Sequence, residues 1–148
     1  MAEERAAEPR DGKLEAFVGR WRTEGRVRAG PWGPEVPIAG TDGYEWLPGG
    51  FFLLHRADVS IGAERVEVFE VIGRDAAGEG WFMHAYDSRG SAGTMRATLS
   101  GETWTFQGDG ERFTGGFGED GRVLSGTWEL RQGAEWVPWM DVRLTLEG

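Results

Sequence analysis

The chain contains two histidines and no cysteine, so imidazole is the side chain in it whose ordinary titration falls near neutral pH. His55 lies in Phe51-Phe52-Leu53-Leu54-His55-Arg56-Ala57-Asp58, a stretch apolar on both faces before it turns polar. His84 lies in Trp81-Phe82-Met83-His84-Ala85-Tyr86-Asp87. There an imidazole and a phenol fall two residues apart, about 7 Å along an extended strand. If His84 and Tyr86 share the inner face with Phe82, such a group orients a polar ligand in an apolar cavity. It can also move a proton while a tyrosine holds an oxyanion. His84, His55 and Tyr86 are therefore the candidate catalytic residues, although either histidine can equally be a satisfied interior or surface residue. As a ligand-binding set, His55, His84, Tyr86 and Tyr44 offer polar contacts, and Trp32, Trp46 and Phe52 offer aromatic wall.

Other chemistries find less support. The two histidines with Asp58, Glu70 or Asp87 would make a facial metal triad, but no local spacing matches a zinc motif, and no dedicated metal site is expected. No serine stands in a Gly-x-Ser-x-Gly elbow, and no Gly-x-Gly-x-x-Gly links a strand to a helix. The absence of cysteine removes thiolate catalysis, disulfides and iron–sulfur ligation together. Glu67 and Glu70 fall on opposite faces of one strand by parity, so one carboxylate points inward and needs a partner, for which Arg56 or Arg96 is the candidate.

These residues must be positioned by strands. Arg20, Arg22, Glu24, Arg26 and Arg28 alternate with Trp21, Thr23, Gly25 and Val27, a period of two that puts charge in water and the other set inside. The stretch 29–37 holds three prolines and reads as a loop carrying Trp32. Further short alternating segments follow, separated by the 25 glycines at turn spacing. They run through 39–47, 51–60, 64–72, 81–87, 94–100, 102–106, 112–117 and 123–131. In the last, Trp136, Met140, Val142, Leu144 and Leu146 alternate with Trp139, Asp141, Arg143, Thr145 and Glu147. The one helical candidate is 12–18, with Leu14, Phe17 and Val18 on one face.

About ten strands with short connections and no room for crossover helices require an antiparallel sheet that curls, splits or closes. The expected fold is all-β: a single antiparallel up-and-down β-barrel with a short N-terminal helix, since closure removes the edge strands. A two-sheet sandwich is the alternative. Residues 1–12 read as a disordered tail and 13–148 as the barrel domain. At 148 residues the chain is long enough to bury a core without a staple.

The formal charge of −9 comes from 25 acidic against 16 basic residues, with no basic stripe. Such a field repels phosphate backbones and anionic lipid, so neither nucleic acid nor membrane is an expected partner. The charged first residues are unlike a signal peptide, and a cytoplasmic location is expected.

Phe17-Val18-Gly19-Arg20-Trp21, a short helix running into Gly-x-Trp at the head of the first strand, resembles the opening of the calycin superfamily, the lipocalins and fatty-acid-binding proteins. A closer likeness is to small bacterial lipocalin-like proteins of uncharacterised function. It is carried by Gly19-Arg20-Trp21, by Trp46-Leu47-Pro48-Gly49-Gly50-Phe51 and by Tyr86-Asp87, and covers nearly the whole chain. The resemblance implies that Trp21 closes the narrow end of the barrel under an arginine of the last strand, with Arg143 the matching candidate although its parity sets it outside the apolar set. A more general similarity to heme-binding nitrobindin-like barrels would need an axial histidine, to which neither His55 nor His84 aligns; no cofactor is expected. The functional expectation is a barrel that binds a small, mostly apolar molecule. An isomerase, cyclase or lyase using His84 or His55 is the alternative. A protein-interaction barrel is the third reading, supported if Trp136 or Trp139 is exposed, and a homodimer is the expected assembly.

Overall fold

A computed structural model describes residues 9–76 and 78–148 of the chain. Ten antiparallel strands close into one barrel in simple up-and-down order, each bonded to its sequence neighbours and the last to the first. They are β1 (Gly19–Val27), β2 (Val36–Trp46), β3 (Phe52–Ile61), β4 (Glu64–Arg74) and β5 (Trp81–Asp87), then β6 (Ala92–Ser100), β7 (Thr103–Gln107), β8 (Glu111–Gly118), β9 (Val123–Gln132) and β10 (Glu135–Leu146). Closure leaves no exposed ladder, which suits a sheet that has no helices to cover its edges. One short helix, α1 (Gly12–Glu15), precedes β1. The tail expected over 1–12 falls mostly on residues outside the described set; Arg10 donates its backbone N–H to Gly50 (2.6 Å), and Asp11 caps α1.

Alternation sorts the walls as the first strand suggests. Trp21, Thr23 and Val27 are buried while Arg20, Arg22, Glu24 and Arg26 face water. Two departures from the expected pattern have local causes. The strand β2 starts at Val36 and takes in Pro37, opposite Arg26. In β10 the register shifts between Pro138 and Met140, and that extra residue swaps faces on either side of it. Val137 therefore stands opposite Leu130 and Met140 opposite Trp128. Trp136, expected on the inner face with Met140, is turned outward and packs under the guanidinium of Arg112 at 4.5 Å.

One end of the barrel is filled. Leu14 and Phe17 drop from α1 and the turn after it onto Trp21, Leu53, Ile72, Trp81 and Trp104, all nearly inaccessible. The plug is fastened by polar tips on apolar rings: the Trp81 indole and Arg74 donate to the Asp11 carboxylate (3.1 Å each), and the Trp46 indole donates to Glu15 (2.9 Å). Trp21 donates its indole N–H to the Phe17 carbonyl at 2.8 Å. Arg143, the candidate cover for Trp21, is exposed on the outer wall and meets Glu119 instead, as its parity opposite Leu144 dictates. The other end differs. Val27, Ile38 and Val66 are buried there, while other inward positions, such as Ala57, Val59, Val68 and Leu130, keep part of their surface accessible.

Candidate functional site

The site lies where the filled half gives way to the accessible half, and one cross-strand row defines it. Tyr44 on β2 pairs with His55 on β3, His55 with Glu70 on β4, Glu70 with Ala85 on β5, and Ala85 with Gly93 on β6. All five are inward by parity with the plug residues Leu53, Ile72, Met83 and Ala97. The row thus runs from ring and carboxylate to methyl to hydrogen. A Cβ added at Gly93 would meet no atom within 4 Å, so the wall recedes at that end of the row.

His55 lies flat against Tyr44, with ring centroids 4.1 Å apart and planes within 1°. Its Nε2 is 2.7 Å from Asp42 Oδ1 and its Nδ1 is 2.8 Å from Glu70 Oε1. A carboxylate accepts and does not donate, so both nitrogens carry protons and the ring is an imidazolium between two anions. Burial works against that charge, but the hydrogen bonds and charges of Asp42 and Glu70 outweigh it and raise the His55 pKa from 6.5 to about 9. Thr23 Oγ1 donates to the other Asp42 oxygen and fixes that carboxylate from the neighbouring strand. The Tyr44 phenol is held well above its ordinary range by burial first, then by the Asp42 and Glu70 charges.

Two polar atoms of this group make no hydrogen bond among the described residues: Glu70 Oε2 and the Tyr44 hydroxyl. Glu70 is 4% exposed and Tyr44 7%. Since no inaccessible side-chain oxygen or nitrogen among the described residues lacks a partner, each must touch the remaining open space. Both side chains are inward by parity, so that space lies on the inner side of the wall. Glu111, inward on β8 by parity with Phe113, faces the same region; burial and then the Glu70 and Asp87 charges push its carboxyl pKa up.

The candidates chosen from the sequence divide accordingly. His55 and Tyr44 belong to the site. Trp46 stays at the plugged end on Glu15. Trp32 sits in the loop after β1, its indole bonded to the Arg28 carbonyl at 2.6 Å. His84, Tyr86 and Phe82 do share a face, but it is the outer one, because Trp81 and Met83 take the inner positions of β5. His84 is exposed with its ring 4.8 Å from that of Phe82, Tyr86 is 53% exposed, and Phe52 is 43% exposed beside Phe82. The inward carboxylate of β4 is Glu70, and its partner is His55; Arg56 lies over Phe69 and Arg96 meets Asp75, both outside.

Asp42, Thr23 and Glu111 were not singled out from sequence. Asp42 sits between Thr41 and Gly43 in the strand read over 39–47, and its register opposite Trp21 and Ala57 turns it inward. No group of three metal-ligating side chains occurs among the described residues. Both His55 nitrogens are spent on carboxylates, so neither offers a lone pair to an iron, and heme ligation through it would require dismantling the pair. A separate open groove of about 440 Å³ lies on the outer face of β6 and β7, lined by Thr94, Arg96, Thr98, Thr105, Gln107 and Asp109 among others. No helix among the described residues is long and apolar enough to cross a membrane. No protein-family model matches the chain, and no curated protein matches it.

Proposed function

We propose that the barrel binds a small, mostly apolar molecule in its accessible half, with the molecule's polar end on the Tyr44–His55–Glu70 row. The observation that carries this reading is a pair of polar atoms on nearly buried side chains, Glu70 Oε2 and the Tyr44 hydroxyl, that make no hydrogen bond among the described residues and so keep contact with open space. A buried polar group normally finds a partner, and one that faces open space is available to a ligand or to water. The doubly bonded His55 gives the row rigidity, because moving any member would leave a charge unpaired. The likeness of Gly19-Arg20-Trp21 to the calycin opening is in keeping with a carrier of this kind.

Proton transfer is the weaker use of the site. A base needs a free nitrogen, and His55 at neutral pH has none, while His84 stands outside. A two-fold dimer is a second, compatible reading, favoured by the exposed outer strip of Phe52, Phe82 and Tyr86, the sort of patch that marks interfaces. Light scattering checks it: a 16.4 kDa particle at every concentration removes the dimer.

Trp21, Trp104 and Trp128 line the barrel interior, so binding is read by intrinsic fluorescence. Titration with a panel of lipids, isoprenoids, porphyrins and polyketides is expected to give a saturable change with at least one class. Silence across the panel, with unchanged thermal midpoints, would sink the reading.

A further inference from the structure

The inward strand positions of the accessible half include the acidic Asp42, Glu70, Asp87 and Glu111, and among the described residues no arginine or lysine. At the rim Glu64, inward by the same parity, is paired with Arg89 of the β5–β6 turn, and Asp87 accepts from the backbone N–H groups of Arg89 and Ser91. The arginines of the flanking strands all go elsewhere. Arg26 and Arg28 bind Asp141 on the outer wall, Arg65 binds Asp58, and Arg112 binds Glu129. Arg74 closes the plugged end on Asp11. Among the described residues the one cation at an inward strand position of this half is His55, and both its N–H groups are already donated to Asp42 and Glu70. Two carboxylates around one imidazolium leave one net negative charge in the row, before Glu111 is considered.

The unpartnered atoms have the same sign. Glu70 Oε2 is a pure acceptor, and the Tyr44 hydroxyl can accept as well as donate. An anionic head, such as a fatty-acid carboxylate, would find no unspent cationic donor and would face Glu70 and Glu111. A cationic head would find acceptors on two strands, one belonging to a side chain 4% exposed that already has a fixed orientation through His55.

Resting on the proposed function above, we infer that the bound molecule is an amine: a protonated primary or secondary ammonium on an apolar body, received by Glu70 Oε2 and Glu111 with the Tyr44 hydroxyl beside them. The apolar body extends past the small inner positions Ala57, Ala85 and Gly93 toward the open end.

The test compares octylamine, octanol and octanoate, with their twelve-carbon homologues, against the full chain at pH 7 by calorimetry and tryptophan fluorescence. The amine is expected to bind on the order of tenfold or more tighter than the alcohol, with the carboxylate weakest, as befits one charge-assisted hydrogen bond gained or opposed. Glu111→Gln, which breaks no side-chain hydrogen bond among the described residues, is expected to cost the amine on the order of tenfold and to leave the alcohol within about twofold. If the alcohol or carboxylate binds as tightly as the amine, or if another neutral or anionic apolar molecule binds while the amines do not, the amine assignment is wrong and the binding function stands. If none of the six compounds and no member of the wider panel binds, both fall.

Discussion

Raising the pH from 6.5 to 9.5 should remove a large, specific part of the stability of this barrel through one group. In the unfolded chain His55 titrates at its ordinary 6.5, and in the folded barrel at about 9, because Asp42 and Glu70 hold its proton from both sides. A folded pKa above the unfolded one stabilises the fold fully below pH 6.5 and loses that stabilisation as pH rises through about 9. At 1.36 kcal/mol per pKa unit, the gap corresponds to roughly 3 kcal/mol. This is a sizeable share of the about 5–15 kcal/mol that separates folded from unfolded domains. Tyr44 does not confuse the window, since its phenol, held above its ordinary range, affects stability only from about pH 10 upward. The assay is urea unfolding followed by tryptophan fluorescence at half-unit pH steps, with His55→Gln in parallel. The variant should start about 3–5 kcal/mol less stable near pH 6.5, because two buried carboxylates lose their cation, and its profile between 6.5 and 9.5 should be flat. A flat wild-type profile, or an equal slope in the variant, would refute the clamped imidazolium. Should the variant fail to fold, the wild-type histidine ring protons observed by NMR still decide the matter: His55 must titrate near 9, and a transition near 6.5 contradicts it.

Tyr44→Phe should leave stability within about 0.5 kcal/mol, since the hydroxyl bonds no group among the described residues and the ring stack on His55 survives; it should weaken ligand binding, seen by calorimetry. Gly93→Ala is expected to raise stability by about 0.4–1 kcal/mol, as its added methyl meets no atom and the unfolded chain loses freedom, measured by thermal melting. Gly93→Phe should fold and abolish binding by filling the receding wall, and a variant that binds normally would place the ligand elsewhere. Asp141 receives Arg28, Arg26 and Thr127, which hold its carboxyl below the usual range. Asp141→Asn should cost roughly 1 kcal/mol at pH 7, limited by the solvent around the guanidinium groups. Because a depressed pKa stabilises fully above the unfolded value and is lost as pH falls through the folded one, that cost should shrink as pH falls below the ordinary carboxylate range, followed by urea unfolding at pH 7 and pH 2.

The barrel was legible in the chain because its first strand alternates without interruption and its connections are too short for anything but antiparallel neighbours. The site was legible in part. Glu67 and Glu70 had to face opposite ways, which marked one inward carboxylate, but β3 is apolar on both faces and its parity could be read only from its register with Ile72 and Glu70. His84 and Tyr86 misled because Trp81 and Met83 compete with Phe82 and His84 for the inner face of β5, and the larger buried set won. The bulge at Pro138–Met140 shifts the face of Trp136 without any signal in the alternation itself. Asp42 lay inside the strand read over 39–47 but in a polar, glycine-flanked part of it, and counting back from Tyr44 in steps of two would have set it on the same face.

Where the ligand sits is decided most directly by intermolecular NOEs from bound octylamine to the methyl groups of the chain. The account predicts contacts to the inward methyls of Ala57, Val68 and Ala85 and none to the outer aromatic strip. Contacts to Phe52, Phe82 and Tyr86 with none to those three methyls would contradict it.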